Sequence, residues 1–141
     1  MNIADFVTRF TYPAVYDYSL SANGRGFVVP GQPPAASLSP DEPVRYIALL
    51  KSEEGQPRGN HVHRTKVETI IVLSGSLKCE FRLSEDENVR DEFVLRAGDA
   101  VRVLPGCIHT YTAIGGGANA IELSPQALDL TDQINMGKSQ S

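Results

Sequence analysis

Apolar and polar side chains alternate with a period of two through most of residues 45–123, the repeat of a strand with one buried face, and no apolar stripe at helical spacing exceeds two turns. Turn residues cut the alternation at Ser74-Gly75, at SEDEN (84–88), at Gly98-Asp99, at Pro105-Gly106 and at the glycine triplet 115–117. The pattern predicts strands over 45–50, 67–73, 76–83, 92–95, 100–104, 109–114 and 119–123. Short strands with turns this frequent make a sandwich or a closed barrel. Before them, residues 1–20 read as a loosely patterned arm with a short helical start over 3–9. NGRGFVV (23–29) reads as a turn running into a short strand, and 30–43 as a proline-rich loop that cannot donate to a sheet ladder. The tail from Thr131 is polar and is expected to fray. The resulting division is an arm, short strand and loop over 1–44, a barrel over 45–124, and a polar C-terminal tail over 125–141.

The same parity places the chemistry. Side chains at i and i+2 of a strand share a face about 6.5–7 Å apart, so His61 and His63 point to one side and Val62 to the other. A four-residue loop over 64–67 would set Glu68 opposite His63. A two-residue turn at Ser74-Gly75 would set Leu77, Cys79 and Phe81 across from Val72, Ile70 and Glu68, and a connection over 105–108 would set His109 opposite Leu104. All three histidines can then face one interior. The residues alone leave two readings, a metal site or the polar edge of a hairpin. The rest of that inner face is mostly apolar: Ile70, Val72, Leu77, Cys79, Phe81, Leu104 and Ala113. Tyr111 shares the face of His109, and Arg102 would lie across from it. Tyr111 is then a site residue or a core tyrosine whose hydroxyl finds a backbone partner, and Arg102 a pocket residue or a solvated one.

Composition narrows the function. At 141 residues the chain is one domain with room for a real core, and its 12 glycines and 9 prolines suit a β-rich fold better than a helical bundle. A net charge of -4 with scattered basic residues offers no footprint for nucleic acid or an anionic membrane. No segment approaches the roughly 20 apolar residues of a membrane span, and MNIADFVTRF lacks the form of a secretory leader, so a cytoplasmic protein is expected. Cys79 and Cys107, 28 apart, form no redox or disulfide motif and read as reduced thiols; Cys107, though near His109, reads as packing. Outward-facing Ile71 and Leu73 on an exposed sheet suggest a homodimer that covers them.

Two longer patterns resemble a known family. Gly55, His61, His63, Glu68 and Gly75 keep every spacing of the first motif of the cupins, and Gly98, Gly106 and His109 keep the second, with Leu104 where that motif has proline and Ala113 where it has asparagine. The resemblance implies an all-β fold, a small antiparallel jelly-roll barrel. It also implies one divalent transition metal, Zn, Fe, Mn, Ni or Co, held by His61, His63, Glu68 and His109, with one or two positions open to substrate or water. More narrowly, RGNHVHRTKVE and NGRGFVV are similar to segments of cupin domains in capsular-polysaccharide and deoxysugar biosynthesis.

That similarity implies an isomerase or epimerase acting on a keto-sugar or similar carbonyl compound, by proton removal beside the carbonyl. The metal-free sugar epimerases of this superfamily use a histidine base. Here the metal would claim every histidine, so Tyr111, a carboxylate or a metal-activated water must move the proton. Tyr111 is the expected catalytic residue, with Arg102 and Phe81 as substrate-binding residues. Arg58, Arg64 and Lys66 form a basic edge that reads as a solvated turn or as contacts to an anionic group. An Fe(II)-dependent dioxygenase of an apolar or aromatic substrate is the alternative that the greasy inner face allows, and a non-catalytic metal- or ligand-binding cupin is the second.

Overall fold

The computed structural model describes residues 2–11 and 43–136. Its strands are β1 (Val7–Thr11), β2 (Tyr46–Ser52), β3 (Pro57–His63), β4 (Glu68–Ser74), β5 (Ser76–Leu83), β6 (Arg90–Arg96), β7 (Asp99–Val103), β8 (Cys107–Ala113), β9 (Ala118–Ser124) and β10 (Gln133–Asn135). They form two five-stranded antiparallel sheets, ordered β1-β7-β4-β9-β2 and β10-β3-β8-β5-β6. This is the jelly roll expected, as two facing sheets rather than a continuous cylinder. The expected strand at 23–29 and the proline-rich loop lie outside the described residues.

Among the described strands only β5 and β6 are joined as a hairpin; each connection from β2 to β5 and from β6 to β10 carries the chain to the other sheet. The expected hairpins at 64–67, Ser74-Gly75 and 105–108 are therefore crossovers. Glu68 pairs with Val103 rather than His63, and His109 pairs with His61 and Phe81 rather than Leu104. The inward facing expected on β3, β4, β5 and β8 survives this change, whereas Leu104, expected inside, is 37% exposed. Parity along a strand is local, and both sheets turn an inner face to one interior. Ile70, Val72, Leu77, Cys79, Val101 and Val103 fill that interior and are all at most 2% exposed.

Both ends of the chain differ from expectation. Asn2 caps a single 3-10 turn, Ile3–Asp5, by accepting from the Ala4 amide at 3.1 Å. The residues after it leave the helical path to pair with β7, because Val7 then buries its side chain in the core. The polar tail adds strand β10 to the edge beside β3, with Gln133 opposite His63 and Asn135 opposite His61. Outward on β2 and β4, Ile47, Leu49 and Leu73 are 63%, 79% and 52% exposed, with Ile71 half-buried beside them.

A bulge in β3 aims the histidines. Arg58 pairs with Tyr111 and Gly59 with Thr110, but the register then shifts so that His61, not Asn60, meets His109. One extra residue reverses the alternation and turns His61 and His63 inward. The bulge needs two successive positive φ angles, 99° at Gly59 and 57° at Asn60, which glycine and asparagine accept most readily. A Cβ on Gly59 would also sit 2.7 Å from the His109 carbonyl oxygen. Gly59→Ala should therefore lower stability by at least about 2 kcal/mol, a backbone clash added to a disfavoured φ, read as the shift in thermal midpoint; Asn60→Gly should shift it far less.

Candidate metal centre

Four side chains meet across the sandwich. Neighbouring strands β3 and β8 supply His61, His63 and His109 from one sheet, and the first residue of β4 supplies Glu68 from the other. One ligand atom from each lies within 4.8 Å of all the others. Glu68 Oε2 is 3.4 Å from His109 Nε2, and Glu68 Oε1 is 3.7 Å from His63 Nε2. The His109 Nδ1 lies 3.2 Å from the Cys107 carbonyl, which takes its proton and leaves Nε2 as the free ligand atom.

Protonation favours coordination over ion pairing. Burial and the neighbouring His109 bring His61 down from 6.5 to about 3, and burial, opposed but not offset by Glu68, also lowers His109. Both are neutral at pH 7, so neither is the cationic partner of Glu68. Burial alone would raise Glu68, but at the low pH where it titrates a protonated His109, together with His63, Lys66 and the Tyr111 hydroxyl, outweighs that, so the carboxylate is ionised at pH 7. His61 Nδ1, both ring nitrogens of His63 and His109 Nε2 are buried without a hydrogen-bond partner among the described residues. Unpaired buried nitrogens are costly, and one nitrogen from each of three histidines beside a carboxylate is what a divalent transition metal would satisfy. The residues fit such an ion.

The cup above the cluster is mixed: Lys66, Glu122, Thr65, Gln126 and Gln133 line it together with Ala127, Leu128 and Leu130. It encloses about 200 Å³, and half of its lining comes from residues 126–133 of the C-terminal tail. Lys66 bridges two carboxylates, with Nζ 3.7 Å from Glu68 Oε1 and hydrogen-bonded to Glu122 Oε2, and lies 4.6 Å over the Tyr46 ring. Burial lowers the Lys66 pKa, but Glu68 and Glu122 more than reverse that and keep it charged. Burial and the charge of Glu68 push Glu122 up to about 7, against the pull of Lys66. Opposite, Asp132 Oδ1 accepts from the Arg64 and Thr65 amides and the Thr65 hydroxyl, and Oδ2 accepts from the Lys66 amide.

The expected residues fall into place unequally. The four ligands converge. Tyr111 faces the interior but is 3% exposed and donates to Glu68 Oε2 at 2.7 Å, and burial and Glu68 push it well above 10. It holds a ligand, and its hydroxyl is not at hand for a substrate proton. Phe81 is 2% exposed and packs on Phe93 and Tyr111 in the core, away from the cup. Arg102 pairs with Thr8 and Thr69, positions that alternate with inward Val103 and Glu68, so it lies on the outer face of its sheet. Its expected place opposite Tyr111 assumed a hairpin where the chain crosses over. Cys79 and Cys107 are buried, free and pushed up to about 12 by burial, which makes them packing thiols. Glu122 and Asp132 were missed. The alternation of Ala118, Ala120 and Glu122 could have shown the first; nothing local marks the second.

Residues 48–123 match the model of the cupin domain family. The chain belongs to the cupins. No curated protein matches its sequence. Solved cupin-like structures similar to this chain include the 3,4-ketoisomerase QdtA from Thermoanaerobacterium thermosaccharolyticum, solved as a mutant with TDP-4-keto-6-deoxyglucose. That structure has TM-score 0.68 and 14% identity over 92% of this chain and 87% of the other. The 4-keto-6-deoxy sugar epimerase NovW from Streptomyces spheroides follows at TM-score 0.61 and 17% identity, over 69% and 53%. The capsular polysaccharide assembling protein CapF from Staphylococcus aureus has TM-score 0.61 and 24% identity, over 70% of this cupin but 28% of its own chain.

Two outcomes test the cluster. His63→Ala or His109→Ala should reduce bound metal to a small fraction by elemental analysis while the circular dichroism of the fold persists, since the core closes without the ion. In chelator-treated protein, the unfolded chain binds a proton at His61 near 6.5, whereas the folded chain does not until about 3. The His61 contribution should therefore fall as pH falls through that window, joined by the lowered His109 and, below 4.5, by the depressed Glu68, while the raised Glu122 acts in the opposite sense between about 7 and 4.5. Relative to His61→Gln, the unaltered chain should lose thermal midpoint between pH 7 and 4.5, a difference that isolates His61 from the other groups.

Proposed function

We propose that this cupin is a metal-dependent isomerase or epimerase of a small polar carbonyl compound of the keto-sugar class. The observation that carries the reading is the set of polar side chains, Lys66, Glu122, Thr65, Gln126 and Gln133, that line the cup around the cluster of His61, His63, Glu68 and His109. The apolar inner residues that would have suited a greasy substrate are packed core instead. A volume of about 200 Å³ is below the roughly 300–1,000 Å³ of sites for drug-sized ligands, so the cup suits a single sugar ring, with any larger attached group lying outside. The ketoisomerase and epimerase that share the fold support the same chemistry.

A divalent ion on His61, His63, Glu68 and His109 would supply Lewis acidity toward a substrate carbonyl. The chain supplies the rest. Glu122, buried in the cup wall and held by Lys66, takes the proton from the carbon beside the carbonyl. The electron pair of that C–H bond moves toward the carbonyl oxygen. In isomerisation the proton is delivered to the former carbonyl carbon while the hydroxyl proton of the first carbon passes to the former carbonyl oxygen. In epimerisation Glu122 keeps the proton it took, and a proton from water reaches the other face of the same carbon. Lys66 orients Glu122 and presents N–H donors to the substrate. Tyr111 fixes Glu68 through its hydroxyl. A homodimer covering Ile47, Leu49 and Leu73 belongs to the same proposal.

Product formed in heavy water should carry carbon-bound deuterium, and turnover of a keto-sugar should be the same with and without oxygen. Glu122→Gln should lower kcat by roughly 10²-fold or more with metal content intact, the usual size of a general-base contribution. Strict oxygen dependence with no deuterium incorporation would overturn the reading in favour of a dioxygenase.

A further inference from the structure

The C-terminal tail builds part of the centre. Asp132, 7% exposed, sits over the turn that joins His63 to Glu68 and takes the amides of Arg64, Thr65 and Lys66 together with the Thr65 hydroxyl, at 2.8 to 3.1 Å. Gln126 Oε1 takes the next amide, Val67, at 2.9 Å, so side chains of the tail satisfy every amide between the two ligands. Pairing of β10 with β3 and the bond from the Met136 amide to the Asn60 carbonyl, 2.9 Å, set the tail beside the bulge and the histidines. In that frame Asp132 Oδ2 lies 3.4 Å from His63 Nδ1, at ion-pair distance but outside hydrogen-bond alignment.

We propose that Asp132 is a positioning residue of the metal centre: fixed by three consecutive amides, it draws the His63 ring proton to Nδ1 and presents Nε2 to the ion. The inference rests on the metal reading above. A carboxylate behind a ligating imidazole fixes its tautomer and ring angle and raises its basicity, and loss of such a partner typically weakens metal affinity 10–100-fold. The rest of the cup supports the direction. Nε2 of His63 is the ring nitrogen nearer Glu68, and the face toward Asp132 lies on the side of the tail.

The test is competition of Co(II) between a chromophoric chelator and the full-length, chelator-treated chain. Asp132→Asn should weaken affinity 10–100-fold and shift the visible bands of the bound Co(II), a sign of altered coordination that looser packing alone would not produce. Thr65→Val removes one donor to Asp132 but leaves its carboxylate facing His63, and should keep affinity within about twofold. If Asp132→Asn does not fold, Asp132→Glu, which keeps the charge but moves it by one methylene, should still weaken binding at least fivefold. Native affinity and spectrum in the Asp132 variants, or an equal loss in Thr65→Val, would overturn the proposal alone. Absence of Co(II) binding by the unaltered chain would overturn it together with the metal reading.

Discussion

Glu68 is the constraint around which the site is organised. It is a carboxylate 3% exposed at the seam of two sheets, where an ion without partners would be intolerable, and its environment is arranged to keep it charged. Tyr111 donates to one oxygen, and Lys66 stands near the other. His61 and His109 are held neutral by burial, so they do not discharge it as ion pairs. A fixed negative charge beside ring nitrogens that make no hydrogen bond is an arrangement that selects for a cation. Lys66 then has a second consequence. Because it spans Glu68 and Glu122, the charge of the cluster and the charge of the cup wall are linked through one ammonium.

The fold serves that constraint through its crossovers. If β3 and β4 formed a hairpin, His63 and Glu68 would be neighbours on one sheet and the other sheet would have no ligand to offer. Crossing at 64–67 sends Glu68 to the facing sheet, so the four groups close on a point from two sides. The price of that short crossover is a turn with four amides outside any ladder, and Asp132 and Gln126 absorb them. The bulge at Gly59 and Asn60 does the complementary work on β3, reversing parity so that Arg58 and His61 both face in.

How much of this was legible in the sequence follows from what is local. Strand positions were legible, and 76–83 coincides with β5 to the residue, because alternation and turn chemistry act within a few positions. The convergence of His61, His63, Glu68 and His109 was legible for the same reason, since facing depends on parity along one strand. Partners were not. Which strand lies beside which depends on the whole topology, so every pairing drawn from loop length failed, and with it the placement of Arg102. β1 was hidden because VTRFT carries no clean alternation, and its strand state comes from β7. β10 is three residues long and follows its neighbour, so the tail looked free to fray. Asp132 shows that limit most sharply: an aspartate in a polar tail has no local mark, and its role exists only once 64–66 lies beneath it.

The division of the interior decides what chemistry the centre can host. Listing inward residues in order along the strands makes the interior look apolar, yet apolar and polar residues occupy different depths. Ile70, Val72 and Leu77 lie beyond the ligands and close the core, whereas Tyr46, Lys66 and Glu122 line the cup with the cluster. Register explains the step: Glu122 pairs with Ile70 and with Ala48, and Tyr46 lies one inward position further along β2, so polarity begins near the level of Glu68. A substrate in this cup meets a lysine, a carboxylate and amide side chains alongside Leu128 and Leu130 of the tail. The polar ones are groups that bind hydroxyls and move protons. The apolar core beneath them excludes water from the far side of the ligands, strengthening each charge interaction above it.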